Sequence, residues 1–187
     1  VFAVAGSNTQ TVEQGVRDLA DFLHMLGNPV GVISAGNSQS LERFLDLNYP
    51  LSILDVQRTM AVCAEDGAAA VILALSEETL NDDALQSVNV DVLGCDDKGL
   101  SEAEIVKSVA RFGCTVGKQT HIAGRTQESD ALAAQATEAY GQTDSSALSL
   151  SIAMVLAAGV RKANIKKRIA CISRSELVSI GTDADVE

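Results

Sequence analysis

Aromatic residues are scarce in this sequence of 187 residues: they make up 3% of it, and tryptophan is absent. The hydrophobic share is nevertheless 47% and the charged share 21%, values that are typical of a globular protein rather than a disordered one. The core must therefore be built from alanine, valine, leucine and isoleucine. Such side chains suit helices layered on a parallel sheet, so the composition favours an α/β fold.

Positive charge is also in short supply. The chain has 14 Lys and Arg against 25 Asp and Glu, which gives a net charge of −11. A strongly acidic surface repels phosphate backbones, so we expect no nucleic-acid partner. We interpret the one basic run as the solvated face of a helix; it consists of Arg161, Lys162, Lys166, Lys167 and Arg168.

No signal peptide and no membrane-length apolar run can be recognised. The longest apolar stretch, residues 147–160, is too short to cross a bilayer and contains two serines. We therefore expect a cytoplasmic protein with no membrane partner.

The four cysteines form no C-x-x-C pair; they are Cys63, Cys95, Cys114 and Cys171. Zinc ligation needs closely paired ligands, and a disulfide framework is typical of short secreted chains. Buried, reduced thiols are the interpretation that we favour.

A strand–helix–strand pattern opens the chain. Residues 1–5 are an apolar run, apolar residues recur at helical spacing over residues 12–26, and a second run covers residues 30–34. Such a unit places its two strands parallel in one sheet. The apolar runs at residues 69–75 and 88–93 predict further strands.

Capping signals predict the helices of this part of the chain. Ser52 with Asp55, and Ser101 with Glu104, have the spacing of capping boxes. A further, acidic helix is predicted after Ser76, and a short amphipathic segment is expected at residues 41–45.

The last third of the chain is predicted to be mainly helical, and its second helix, which is apolar on nearly all sides, to be buried in the core. Helices are predicted at residues 130–140, 146–159 and 165–172, a loop or short edge strand at 114–125, and a terminal strand at 176–180. Together these patterns predict one domain over residues 1–187, with a doubly wound, mostly parallel sheet and helices on both faces.

Ligands of such sheets bind where strands end and helices begin, because a helix N-terminus offers unpaired N–H groups and a partial positive charge. The first turn of this kind is formed by Gly6, Ser7, Asn8, Thr9, Gln10 and Thr11, and we take these six residues as the candidate phosphate-binding site. A working phosphate loop presents a lysine to the β- and γ-phosphates and a hydroxyl to magnesium. Thr11 supplies the hydroxyl, but Gln10 stands at the lysine position.

The turn resembles the Mur ligase signature G-T-N-G-K-T-T. Gly6, Ser7, Asn8 and Thr11 agree with it, whereas Thr9, Gln10 and Val12 depart from it. Further segments are similar to the family in the same order along the chain, with a gap near residues 114–135; they are residues 22–34, 49–58, 66–72 and 146–160. The chain thus resembles the central, nucleotide-binding domain of the Mur ligases, and the resemblance implies a P-loop-like architecture.

The departures fall on positions that carry the family's chemistry. The family's magnesium-binding glutamate corresponds to Ala74, and a family histidine corresponds to Glu78. Its Asn-Leu-Thr motif and Asp-His pair are replaced by Gly94, Cys95, Asp96 and Asp97. A family lysine that is often carbamylated matches Lys107 only with a one-residue gap.

The resemblance implies ATP or ADP with magnesium as ligand. Phosphoryl transfer needs a lysine and a metal to neutralise the developing charge, and this chain lacks the residues for both. We therefore predict a catalytically degenerate Mur-ligase-like domain that binds a nucleotide or a protein partner, or forms a homodimer, in a regulatory or scaffolding role. One alternative is an ATP-dependent peptide ligase of the UDP-N-acetylmuramyl, peptidoglycan-building type whose other domains lie outside this chain. The other is an unrelated doubly wound binding domain.

The remaining candidates have ordinary structural interpretations. His24 is predicted to be a surface residue of the first helix, and His121 is a weaker candidate for an anion site. The carboxylate pairs at residues 82–83 and 96–97 are candidates for a divalent ion. Adjacent acids at turns are usually solvated, so no metal ligand and no catalytic residue is assigned.

Overall fold

A computed structural model of the protein describes residues 1–95, 97, 100–140 and 145–181. In this part of the chain the elements are β1 (Phe2–Ala5), α1 (Thr9–Met25), β2 (Val30–Ile33), β3 (Gln39–Ser40), β4 (Arg43–Phe44), α2 (Ile53–Glu65), β5 (Ala70–Ala74), β6 (Val92–Cys95), α3 (Glu102–Val109), a 3₁₀ turn (Ala110–Phe112), β7 (His121–Ala123), α4 (Gln127–Tyr140), α5 (Ser146–Ala157) and α6 (Lys162–Gly181). The predicted α/β class is confirmed.

The strands form one mostly parallel sheet in the order β4-β3-β2-β5-β1-β6-β7. The five strands from β2 to β7 in this order pair in parallel, and the short strands β3 and β4 extend the β2 edge in antiparallel fashion. β1 lies between β5 and β6, with Phe2 opposite Ile72 on one side and Val92 on the other. The first strand of the sequence is therefore a central strand of the sheet.

Alternating residues of the strands face two separate cores. On one face, Val4 and Ile72 pack among α1, α4, α5 and α6. On the other face, Ala3 and Leu73 pack with α2, α3 and the segment between β5 and β6. Because side chains alternate along a strand, two cores of this kind place helices on both faces of the sheet.

Local sequence signals explain where the helices begin and end. The side chain of Ser52 accepts a hydrogen bond from the Asp55 N–H while the Asp55 carboxylate accepts from the Ser52 N–H, so the predicted capping box of α2 is confirmed. The box of Ser101 and Glu104 at α3 is confirmed in the same way. Gly67, just after α2, has a φ of +90°, a conformation that glycine adopts without steric cost.

The prediction of a helix after Ser76 is wrong, because residues 76–91 form turns instead. Backbone groups in this segment bond to distant partners: the Leu51 N–H donates to Thr79 O (2.8 Å) and the Asp83 N–H to Arg111 O (2.9 Å). Leu85, which is fully buried, likewise donates its N–H to Phe112 O (2.8 Å). These long-range bonds satisfy the backbone without a helical ladder.

Three further expectations need correction. The strand predicted at residues 88–93 begins only at Val92, although Val88 and Val90 are buried. The amphipathic segment at residues 41–45 contributes the edge strand β4, with Phe44 75% exposed. The terminal strand predicted at 176–180 is instead the end of α6; hydrogen bonds local to a helix override the weak strand propensity of that segment.

The helical last third of the chain otherwise agrees with the prediction. Ile152 and Met154 of α5 are completely buried, as expected for a core helix. All five residues of the basic run are exposed on or beside α6, which confirms them as a solvated face. The edge strand predicted between residues 114 and 125 is present as β7.

None of the helices in the described ranges combines the length and the hydropathy that crossing a bilayer would require.

The expected burial of the cysteines is confirmed for only two of the four. Cys63 and Cys95 are buried, Cys114 is half-buried and Cys171 is exposed on α6. No disulfide bond joins any of the four.

Candidate functional site

The turn between β1 and α1 is short and ends in a capped helix. Only Gly6, Ser7 and Asn8 separate the last residue of β1 from Thr9, the first residue of α1. Asn8 is the N-cap, and its side-chain oxygen accepts a hydrogen bond of 2.8 Å from the Gln10 N–H. Three of the six predicted phosphate-loop residues thus form the turn, and the other three form the first turn of the helix.

The cap leaves part of the helix N-terminus available. The first N–H groups of a helix have no partner within it, and Asn8 satisfies that of Gln10. Within the described ranges, the N–H groups of Thr9 and Thr11 donate no hydrogen bond to the protein. These N–H groups lie at the positive end of the helix dipole, and this arrangement favours the binding of an anion.

A cleft of about 370 Å³ opens at this turn, at the carboxyl ends of β1 and β5. From the turn it is lined by Gly6, Ser7 and Thr9; the remaining lining residues are Ala5, Val12, Leu75, Ser76, Glu77, Glu78, Ser108, Val109, Arg111 and Phe112. Asn8, Gln10 and Thr11 do not line it. The structure therefore brings half of the predicted residues to the cleft.

The cleft lies where strand connections diverge. The chain leaves β1 on the face of the sheet that α1 covers, whereas it leaves the neighbouring β5 on the opposite face, where residues 76–91 pack. Connections that part in this way leave a crevice at the carboxyl ends of the strands, and ligands of open α/β sheets bind in such crevices. The topology and the cleft thus identify the same place.

Charged groups of both signs line the cleft. Glu77 and Glu78 follow β5 and are exposed, and Arg111 reaches the cleft from the 3₁₀ turn after α3. Arg111 forms ion pairs with Glu77 and, at 3.1 Å, with Asp82. These carboxylates raise the pKa of the guanidinium, with the hydrogen bond to Asp82 as the largest cause. The lining residues carry one positive and two negative charges, so the cleft does not favour a bare anion.

A further carboxylate stands beside the phosphate-loop candidate. The Ser7 hydroxyl donates a hydrogen bond of 2.9 Å to Asp97, in the segment that follows β6. Asp97 is one half of the candidate metal-binding pair at residues 96–97, and the other half, Asp96, lies outside the described residues. The contact adds negative charge close to the turn.

Three positions that the resemblance to the Mur ligases aligns with functional residues of that family lie in different structural environments. Ala74 is completely buried in the core beneath α1. Glu78, which the resemblance aligns with a histidine of the Mur ligases, lines the cleft. Lys107 of α3 is exposed and does not line the cleft, whereas its neighbour Ser108 does; the Ser108 hydroxyl donates to Ile105 O (2.8 Å).

A closed polar network lies at the adjacent end of β2. The Ser34 hydroxyl donates to the carboxylate of Glu13 on α1, and the Ser34 N–H donates to Ser38 Oγ (3.0 Å). The Tyr49 hydroxyl also donates to Ser38, and burial, the main cause, raises the pKa of that phenol. The groups satisfy one another, so the network holds the loop after β2 against α1.

The weaker candidates do not line the cleft. His24 is exposed near the end of α1, as predicted, and His121 is exposed on the edge strand β7. Asp82 is engaged by Arg111, and Asp83 has a φ of +59° within the turns after β5. In the part of the chain that the structure describes, no three His, Cys, Asp or Glu side chains are grouped to hold a metal ion.

The sequence did not point to four polar lining residues, namely Ser76, Glu77, Ser108 and Arg111. A signal for Ser76 and Glu77 was present, because they are the first two residues after a predicted strand, at the end where ligands gather. No local pattern marks Arg111, which only the tertiary fold brings to the cleft. As for similarity to known proteins, no protein-family model matches this chain, and no curated protein matches it.

Proposed function

We propose that this chain is a catalytically degenerate Mur-ligase-like domain that binds a magnesium nucleotide at the cleft and has a regulatory or scaffolding role. The observation that carries the proposal is the position of the Gly6–Ser7–Asn8 turn. It leads from a central strand into α1, and it opens into the cleft at the diverging strand connections. Both the helix N-terminus and the topology favour a phosphate there.

Loss of catalysis follows from the side chains at the turn and behind it. Gln10 is neutral, and it lies on α1 outside the cleft lining. Ala74 offers no oxygen to a metal and is buried. Without lysine and metal ligand, the charge that develops on a transferred phosphoryl group has no stabilising partner at these positions.

Because the lining of the cleft is acidic, we expect the ligand to be a magnesium complex of the nucleotide. A nucleotide phosphate would meet the negative charges of Glu77 and Glu78, with a single arginine that is already paired. Magnesium bound to the phosphates reduces this repulsion and can accept carboxylate or hydroxyl oxygens as ligands. Binding should therefore require the magnesium complex rather than the free nucleotide.

Calorimetric titration with Mg-ADP and Mg-ATP tests the proposal, with Gln10→Lys and Gln14→Lys variants alongside. Gln14 is exposed one turn further along α1 and provides the same added charge at a position away from the turn. We expect micromolar binding by the wild type and tighter binding by Gln10→Lys alone. If titration into all three proteins gives no heat, nucleotide binding is contradicted.

An assay of ATP turnover distinguishes a catalytically inactive domain from a ligase. We expect no release of phosphate from Mg-ATP by the wild type. Steady hydrolysis, or transfer to an added carboxylate substrate, contradicts the degenerate assignment and supports the ATP-dependent peptide ligase instead.

A further inference from the structure

Arg111 is the one cationic side chain that lines the cleft among the described residues. It belongs to the 3₁₀ turn Ala110–Phe112, more than a hundred positions from Gly6 and Ser7, which line the same cleft. Its side chain is 46% exposed, so its guanidinium is accessible to a ligand. The cleft therefore contains an anion-binding group that is independent of the missing lysine.

The backbone of Arg111 is held independently of its side chain. Its carbonyl accepts a hydrogen bond of 2.9 Å from the Asp83 N–H, and the carbonyl of Phe112 accepts one of 2.8 Å from the Leu85 N–H. Gly113 ends the turn with a φ of +72° and lies against the backbone of Asp83. A change of partner by the guanidinium thus leaves its attachment point in place.

The two carboxylate partners of the guanidinium are replaceable. Nη1 contacts Glu77, while Nε and Nη2 both bond to Asp82 Oδ1, at 3.3 and 3.1 Å. Both carboxylates are more than 70% exposed. Exposed ion pairs contribute little free energy, because water and salt compete with them. A phosphate can instead accept two parallel hydrogen bonds from one guanidinium, which is a stronger arrangement.

We propose that Arg111 is the specificity-determining residue of the cleft: it exchanges Asp82 and Glu77 for a phosphate group of the ligand and so selects phosphate-bearing molecules. The inference rests on the proposed function and deepens it. Glu77 and Asp82 act as competitors that occupy the guanidinium when no ligand is bound. Arg111 serves as a binding group, with no part in a chemical step.

Magnesium pyrophosphate and Mg-ADP are the probes, titrated calorimetrically into the wild type and four variants. Arg111→Gln should weaken binding about tenfold or more, as expected for loss of a charge-assisted hydrogen bond. Arg111→Lys should recover part of the loss, since it keeps the charge but not the planar fork. Lys107→Gln removes a charge from the exposed side of α3 and should leave affinity within about twofold.

Asp82→Asn separates ligand binding from a structural role, because Asp82 contacts Arg111 but does not line the cleft. If Arg111 binds the phosphate, removing its competitor should tighten binding, opposite in sign to Arg111→Gln. If the ion pair only holds the segment after β5 in place, both substitutions should weaken binding alike. Thermal unfolding of each variant shows whether it is folded.

The outcomes distinguish this inference from the proposed function. Wild-type binding that is weakened by Arg111→Gln and strengthened by Asp82→Asn supports both. Wild-type binding that is unaffected by Arg111→Gln, or weakened by both substitutions, overturns the role of Arg111 and leaves nucleotide binding standing. No binding of either probe by the wild type overturns both.

Discussion

The hydroxyl of Ser7 donates a hydrogen bond of 2.9 Å to the carboxylate of Asp97, ninety positions further along the chain. The bond joins the turn after β1 to the segment after β6, its neighbour in the sheet. It also places a negative charge next to the N-terminus of α1, where the helix dipole favours an anion. In the absence of a ligand, Asp97 thus takes up part of the stabilisation that a bound phosphate would receive.

Substitution Asp97→Asn should strengthen phosphate binding. The amide keeps a hydrogen-bond acceptor for Ser7 but removes the charge that repels the ligand, so affinity for Mg-ADP should rise about three- to tenfold. Calorimetry at low and at high salt measures the effect, which should shrink as salt screens the charge. Asp21→Asn, on an exposed part of α1, is the matched control. Weaker binding by Asp97→Asn would instead indicate that the carboxylate helps to hold the metal.

Glu78 should account for part of the magnesium requirement. It lines the cleft and is exposed, so Glu78→Gln should tighten binding of metal-free ADP about two- to fivefold at low salt. The ratio of affinities with and without magnesium should fall accordingly. Glu65→Gln, which removes an exposed charge at the end of α2, should leave this ratio unchanged. An unchanged ratio in Glu78→Gln as well would show that Glu78 does not interact with the ligand's charge.

Gly94 of β6 should not tolerate a side chain. A Cβ there would lie 2.2 Å from Met154 Sδ of α5, far inside contact distance. Gly94→Ala should therefore lower the free energy of unfolding by about 1–3 kcal/mol through overpacking, as measured by urea denaturation. Met154→Ala alone should cost about 2–5 kcal/mol by leaving a cavity. The double variant should be less destabilised than the sum of the two, and strict additivity would contradict this packing of α5 against β6.

The sequence was most informative where structure is locally determined. The capping boxes at Ser52 and Ser101 depend on residues three positions apart, so spacing alone predicts them. The buried strand β1 and the core helix α5 follow from continuous apolar runs. In each case the residues that determine the element belong to the element itself.

Elements that depend on distant partners were missed. The acids after Ser76 suggested the start of a helix, but Leu85 in the same segment is fixed by the backbone of Phe112. Strands β3 and β4 have two residues each, too few for any periodicity. Arg111 likewise reaches the cleft only through the packing of residues 76–91 against the turn after α3. The turn after β1 could be proposed as a ligand site from sequence, but the opposing charges around it could not.

Asp66 should contribute stability that depends on pH. It follows α2, and a hydrogen bond from the Ser40 hydroxyl (2.6 Å), together with the ion pair to Arg43, lowers the pKa of its carboxyl below the usual value of 3.8. A lowered folded-state pKa means that this stabilisation is complete above pH 3.8 and is lost as pH falls through the folded value. The free energy of unfolding from urea titrations should thus fall more steeply below that pH in the wild type than in Asp66→Asn. Asp21→Asn should follow the wild type; identical pH profiles for wild type and Asp66→Asn would contradict the contribution of Asp66.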